Sequence, residues 1–287
     1  FVALTGFVVF ELLINRTSSD YQNPTQTSQS TVDVSEEVPV TTEAIEPVKE
    51  TDELLDEDVT EETETRIIWP VATVPAAPDG PDLTGYSVVI DPGHQEIPNS
   101  EQEPLAPWMS GSKVKSAEGA TGIVTFRDEH EVNLAVGLVL RDYLEALGCE
   151  VHMTRTTSDI DMSNIERAEF ANEIDPDVYI RLYCGEHEDA SKQGIRVFVA
   201  DSGVYMNRLC GWADTLGELV SDLTGSEYLG CDASSRYTGL NWSRDIPVFM
   251  LQMGYLTNPY EDRVLSDPEY QLKICQAIAE FVGQMPS

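Results

Sequence analysis

"DVYIRLYCGEHED" (177–189) is the stretch whose reading decides the fold. Its β-branched and aromatic run leads straight into a polar loop opened by Gly185, the pattern of a buried strand emptying into a connection. Working outward, the same pattern recurs. "YSVVI" (86–90) is ended by Asp91-Pro92-Gly93 and delivers His94 into a tight loop. "CEVHMTR" (149–155), "GIRVFVA" (194–200) and "PVFMLQMGYL" (247–256) read as further strands. Helical spacings lie between them. Val132, Val136, Val139, Leu140, Tyr143, Leu144 and Leu147 mark one helix over 131–148, with Gly148 as its stop. "SNIE" (163–166) is a capping box opening a helix that runs to about Glu173. Residues 205–223 and 267–285 read as two more helices. Strands alternating with helices predict an α/β fold, a three-layer sandwich with a central, mostly parallel sheet flanked by helices. In such sheets ligands collect at the carboxyl ends of the strands. His94, Tyr183 and Gln252 fall at or near such ends. Residues 99–128 read as one long Gly/Ser-rich connection, a kind of loop that is often functional.

The chain has 287 residues and a formal charge of −34. That charge argues against nucleic acid and against an anionic membrane surface as partners, because like charges repel. The five cysteines include no CxxC pair, so no thiolate zinc site is suggested. Their odd number leaves at least one thiol unpaired and the redox compartment undecided. Cys149 and Cys275 read as small core residues.

The N-terminal part reads differently. "FVALTGFVVFELLINR" (1–16) is an apolar run shorter than a bilayer span and closed by Arg16; it predicts the tail end of a membrane anchor, cut off at its left end. Residues 17–82 show no hydrophobic periodicity. From 17 to 70 fifteen acids face two bases, Lys49 and Arg66. Such a segment predicts a disordered tether, since it cannot bury enough apolar surface to offset its ordering entropy. "PVATVPAAPDGPD" (70–82) reads as its Pro-rich spacer. The expected organisation is thus an anchor (1–16), an acidic tether (17–82) and a globular domain (83–287).

Taken alone, "DPGH" says that a strand presents an imidazole, a common neutral metal ligand, although a lone His in such a place is more often structural. Glu129 stands just before a helix, where a carboxylate is favourable through the macrodipole alone.

Four stretches in order carry more. They are "VVIDPGHQ", "EHEVNLAVGLVLRDYLEALGCEVHMTR", "NIERAEFANEIDPDVYIRL" and "GLNWSRDIPVFMLQMGYLTNPYED". Together they resemble the zinc-dependent N-acetylmuramoyl-L-alanine amidases, the type 3 amidase domain of bacterial cell-wall hydrolases, over about residues 86–285. "HQEIPNSEQEPLAPW" is similar to a clostridial-like branch of them. The resemblance implies Zn²⁺ held by two His and one Glu, a second Glu as general base, and cleavage of the amide between muramic acid and L-alanine. It also implies peptidoglycan as partner and an extracytoplasmic, wall-facing location, which suits an anchor and tether. Carried over, His94 is the first zinc His and Glu129 the zinc Glu. The second His falls on Tyr183 and the general base on Gln252, in "QMGYLTN". Asn133, Asn241, Trp242 and Arg244 fall in the matching stretches and are expected to bind substrate, with Trp108 from the long loop beside them; ordinary packing is the alternative for both Trp residues.

Two of four catalytic positions are therefore changed. A phenol with a pKa near 10 is a poor ligand at neutral pH, and an amide cannot take a proton. Cys184 follows directly in the strand, so its side chain points to the opposite face. His187 and His130 are the remaining candidates for a replacement ligand, and His152 reads as a packed or solvent-facing side chain. Three readings stay open: a non-hydrolytic wall-binding or regulatory module, which the two changes favour; an active zinc amidase with rearranged ligands; and a spacer on an acidic stalk.

Overall fold

The β-branched runs form the expected strands because, buried on both faces, they leave no polar side to hydrate; Val88, Val89 and Ile90 are fully buried. The computed structural model describes residues 69–286; the predicted anchor and residues 17–68 of the predicted tether lie outside them. No helix among the described residues is long and apolar enough to cross a membrane. The elements are β1 (Ser87–Pro92), β2 (Asn99–Ala106), β3 (Met109–Ser116), α1 (Glu129–Ala146), β4 (Glu150–Met153), α2 (Asn164–Ile174), β5 (Val178–Gly185), β6 (Ile195–Val199), α3 (Met206–Thr224), β7 (Tyr228–Ala233), α4 (Thr238–Trp242), β8 (Val248–Tyr255), α5 (Pro259–Leu265) and α6 (Pro268–Val282).

Six strands make one sheet in the order β4-β1-β5-β8-β6-β7. All neighbours are parallel except β6 and β8. Helices α1, α3 and α6 pack together on one face, while α2 and α4 pack on the other, so the three-layer α/β sandwich is the fold. Helix α1 buries the predicted stripe from Val132 to Leu144. Each such aliphatic side chain contributes roughly 1.5–3 kcal/mol of burial. The predicted capping box closes α2: Ser163 accepts from the Glu166 amide, and the Glu166 carboxylate accepts from the Ser163 amide.

Three expectations change. The long connection 99–128 contains an antiparallel hairpin, β2–β3. Pro104 and Gly111 mask it in the sequence, yet Gln102 lies opposite Val114 and Glu103 opposite Lys113. A sixth sheet strand, β7, and the short helices α4 and α5 are also present. The described end of the predicted tether, residues 69–82, does not stand free. Ala72 is buried, Val74 packs against the core, and Tyr143 donates to the Asp79 carbonyl at 2.6 Å. Sparse apolar residues in a Pro-rich segment suffice here because Pro restricts the unfolded chain.

Cys210 and Cys231 form a disulfide joining α3 to β7, 21 residues apart. Closing a loop of that size stabilises by about 3 kcal/mol in the chain-entropy account. Cys149, Cys184 and Cys275 are free, and the first and last are buried as expected.

Candidate functional site

The parallel strands β1, β5 and β8 lie side by side, so their carboxyl ends converge. Beyond β1 the chain turns sharply, and His94 takes a left-handed conformation, φ 61°. Such backbone is costly for a non-glycine residue and persists where packing and hydrogen bonds fix it. His94 Nδ1 lies 2.9 Å from the Ala117 carbonyl, and its Nε2 lies 3.3 Å from Glu129 Oε2. Both ring nitrogens therefore face acceptors, which favours the doubly protonated imidazolium. Burial opposes the charge, but the Glu129 carboxylate and the Ala117 carbonyl outweigh it and raise the His94 pKa. Burial likewise opposes the Glu129 charge, and His94 with two backbone amides lowers its pKa instead. Those amides belong to Ala120, at 2.9 Å, and Cys184, at 2.7 Å.

The other half of the site comes from β5 and β8. Their register puts Tyr183 directly beside Gln252. The Tyr183 ring lies edge-on to His94, 5.2 Å between centroids, and against Gly93, where any Cβ would overlap it. Arg181, two residues earlier on the same face, donates from Nη2 to the Tyr183 hydroxyl at 2.9 Å. Burial raises the Tyr183 pKa despite the guanidinium, so the phenol stays neutral. Cys184 turns the other way, as expected, with Sγ 3.5 Å from Asn133 Oδ1 on α1.

Under this floor is a buried ionic network. Asp91 accepts from Arg167 Nη1 at 2.6 Å, Arg181 Nε at 2.8 Å and Thr154 Oγ1 at 2.6 Å. Burial opposes its charge, yet the two arginines hold its carboxyl well below the usual range. Arg155 donates to the carbonyls of Pro92, Thr157, Gly93 and His130; burial and Arg167 bring its pKa down to about 10.

A cavity of about 340 Å³ opens above Tyr183 and Gln252, roofed by β3 residues Lys113 and Lys115. His94, Arg181 and Thr238 also line it. The other expected binding residues lie elsewhere. Asn241 is buried and donates to the Leu105 and Ser235 carbonyls. Trp242 donates from Nε1 to the Pro104 carbonyl at 3.2 Å, and Arg244 sits 3.7 Å over the Trp108 ring. These three anchor the hairpin rather than line the cavity. Asn133 is fully buried, 3.3 Å from the Gly93 carbonyl.

Do these residues suit a zinc ion? The 3.3 Å between His94 Nε2 and Glu129 Oε2 is what two ligands of one tetrahedral ion share when each bond is about 2.0–2.1 Å. The third donor fails the test: Tyr183 is a neutral phenol tied to a guanidinium. His187 lies in an exposed loop, accepting at Nδ1 from the Asp189 amide, and neither it nor His130 lines the cavity. His152 faces Glu150 at 2.9 Å. Among the described residues no cluster of three His, Cys, Asp or Glu side chains could hold a metal. The donor set does not fit the three-ligand site.

Sequence reading missed Arg181, although a charged residue inside an apolar strand demands a buried partner. It also missed Lys113, Lys115 and Thr238, which only the hairpin and α4 bring over the strand ends.

Residues 88–284 match the family model described as N-acetylmuramoyl-L-alanine amidase. The chain is similar to the N-acetylmuramoyl-L-alanine amidase CwlM of Mycobacterium tuberculosis, 23% identical over 212 residues that are 72% of this chain and 46% of that protein. It is 25% identical to the amidase Rv3717 of the same organism over 231 residues, 76% of this chain and 92% of that one. With the probable cell wall amidase LytH of Staphylococcus aureus it shares 26% identity over 200 residues, 69% of this chain and 57% of the relative. The chain thus spans about half the length of CwlM and LytH. In fold it resembles the crystal structure of the amidase Ami1 from Mycobacterium smegmatis, with a TM-score of 0.63 and 22% identity over 71% of this chain and 100% of that one. An amidase structure from Clostridium difficile 630 gives a TM-score of 0.56 and 22% identity, covering 69% of this chain and 94% of that one.

Proposed function

Because the chain belongs to the N-acetylmuramoyl-L-alanine amidase family, we propose that it is a cell-wall protein with a degenerate hydrolytic centre, acting as a peptidoglycan-binding or regulatory module. One observation carries this reading: Tyr183 and Gln252 are register neighbours lining the same cavity, and on the family resemblance they stand at the positions of a zinc His and the general base. An amide cannot shuttle a proton, and loss of a positioned acid/base costs about 10²–10⁴ in rate. A neutral phenol held by Arg181 offers zinc no anionic donor. An extracytoplasmic location, with the anchor and tether of residues 1–82, belongs to the same proposal. The Cys210–Cys231 disulfide supports it, since disulfides persist outside the reducing cytosol. Placement in the clostridial-like branch rests on "HQEIPNSEQEPLAPW" alone.

The test is metal content of the purified chain by mass spectrometry, with dye release from stained peptidoglycan and co-sedimentation with it alongside. The expected result is sub-stoichiometric zinc, no release and co-sedimentation. About one zinc per chain with release overturns the proposal. That outcome would favour the second reading, an active zinc amidase, to which the His94–Glu129 spacing lends support. Tyr183→His together with Gln252→Glu then asks whether the scaffold alone restores turnover.

A further inference from the structure

The charges around the cavity run opposite to those of the chain. Acids outnumber bases 51 to 17 overall. Yet among the described residues the charged side chains lining the cavity are Lys113, Lys115, Arg167 and Arg181, with no Asp or Glu. Lys115 is discounted, since Glu101 holds its Nζ at 2.7 Å. The floor keeps the imbalance. Beneath it, Arg167 and Arg181 share the one Asp91 carboxylate, Arg155 lies close by on the Pro92 and Gly93 carbonyls, and Glu129 faces His94. Both carboxylates are already fully engaged by those groups and by backbone amides.

The cavity wall also holds donors with nothing to donate to. Gln252 Nε2 and Thr238 Oγ1 are buried and have no hydrogen-bond partner. Tyr183 accepts from Arg181 at its hydroxyl, which fixes the phenol oxygen at the cavity and keeps its own O–H as a donor. Gly239 closes over Arg181, and any larger residue there would collide with the guanidinium. Lys113 is exposed as a residue, but partial desolvation of its ammonium end and the neighbouring Arg236 lower its pKa. A buried donor left without a partner is destabilising, and an entering acceptor recovers that loss.

We infer that this cavity binds a carboxylate, so that the place where a family zinc site would hold a cation has become an anion site built on Arg181 and Tyr183. The ligand class is a short peptide carrying a free carboxylate. The anion meets Tyr183, Gln252, Thr238 and Lys113, while Phe198, Met250 and Tyr237 supply apolar wall for the attached chain. A volume of about 340 Å³ is far more than a bare ion needs. The inference rests on the wall-binding reading and sharpens it, because cleaved wall peptide exposes such groups.

The experiment titrates the full chain with N-acetylmuramoyl-L-alanine, with the carboxamide of the same compound, and with acetate, by calorimetry at low and high salt. The free acid is expected to bind at least about tenfold tighter than the carboxamide and tighter than acetate, with the preference shrinking as salt screens the site. Tyr183→Phe removes one hydroxyl and keeps the ring on Gly93; it is expected to weaken the acid about tenfold or more, as loss of a hydrogen bond to a charged group does. Lys113→Gln, on the exposed hairpin, is expected to weaken it a few-fold and guards against misfolding of the first variant. Equal binding of acid and carboxamide, or two well-folded variants that bind as before, overturns the inference. So does acetate binding as tightly as the acid, which would leave no role for the peptide. A chain that still sediments with peptidoglycan in those cases keeps the wall-binding reading. A chain that neither sediments nor binds any probe loses both.

Discussion

The two halves of the site contrast. On the β1–α1 side, His94 and Glu129 are saturated: every polar atom of the Glu129 carboxylate meets a backbone amide or the imidazole. On the β5–β8 side, Gln252 and the nearby Thr238 have buried polar atoms without a partner. The saturated half stabilises the strand ends whether or not a ligand arrives. The unsaturated half is stabilised only when something fills it.

The largest effect should come from the network beneath both halves. Asp91→Asn leaves Arg167 and Arg181 facing each other without a carboxylate, and breaking a buried ion pair in this way costs about 3–5 kcal/mol. Urea unfolding measures it, and a loss below about 1 kcal/mol would mean that the cavity floor is not built on this pair. The same group sets an acid limit. The folded pKa of Asp91 lies below its unfolded value of about 3.9, so its contribution is present in full above that value and is lost as pH falls through it toward the folded pKa. Thermal melts at descending pH should show a steeper loss in the native chain than in Asp91→Asn.

Next, Glu129→Gln keeps the shape and removes the charge that two amides and His94 share. A loss of about 2–3 kcal/mol is expected, larger than for Gln252→Ala, whose buried Nε2 has no hydrogen-bond partner among the described residues. If the two variants lose equally, the contrast between the halves fails.

A smaller effect tests the close approach at the β1 turn. Gly93→Ala puts a methyl into the Tyr183 ring and should cost about 1–3 kcal/mol as overpacking. In a Tyr183→Ser background the same change should be nearly free, so a double-mutant cycle should show strong coupling. Additive losses would place the strain elsewhere. The smallest effect belongs to Arg244→Ala. It removes the guanidinium from the Trp108 ring at the hairpin tip, worth about 0.5–1 kcal/mol at an exposed site. Trp fluorescence should change while the affinity for wall peptide changes little.

Much of this was legible in the residues. Buried strands declare themselves by runs such as "SVVI" and "VFML", and helices by the stripe along 132–144, because burial on one or both faces leaves a period in the sequence. The hairpin β2–β3 was not legible: its outer face is polar, it carries Pro104 and Gly111, and its pairing is broken by register shifts. Residues 69–82 were misread for a similar reason, since a few apolar contacts leave no period. His94, Glu129, Tyr183 and Gln252 were singled out through the order of motifs, and the structure brings them together at the ends of β1, β5 and β8. Asn241, Trp242 and Arg244 lay in the right stretches, but their side chains face the hairpin.

The sequence by itself determined the layered α/β plan and put a Tyr at 183 and a Gln at 252, because periodicity and residue identity are properties of the chain. Only the tertiary structure decided what surrounds these two side chains. It set Tyr183 beside Gln252, bonded the phenol to Arg181, folded the lysines of β3 over both, and left donors without acceptors. Charge balance and hydrogen-bond satisfaction are properties of groups brought together from distant positions, and no reading of neighbours along the chain contains them.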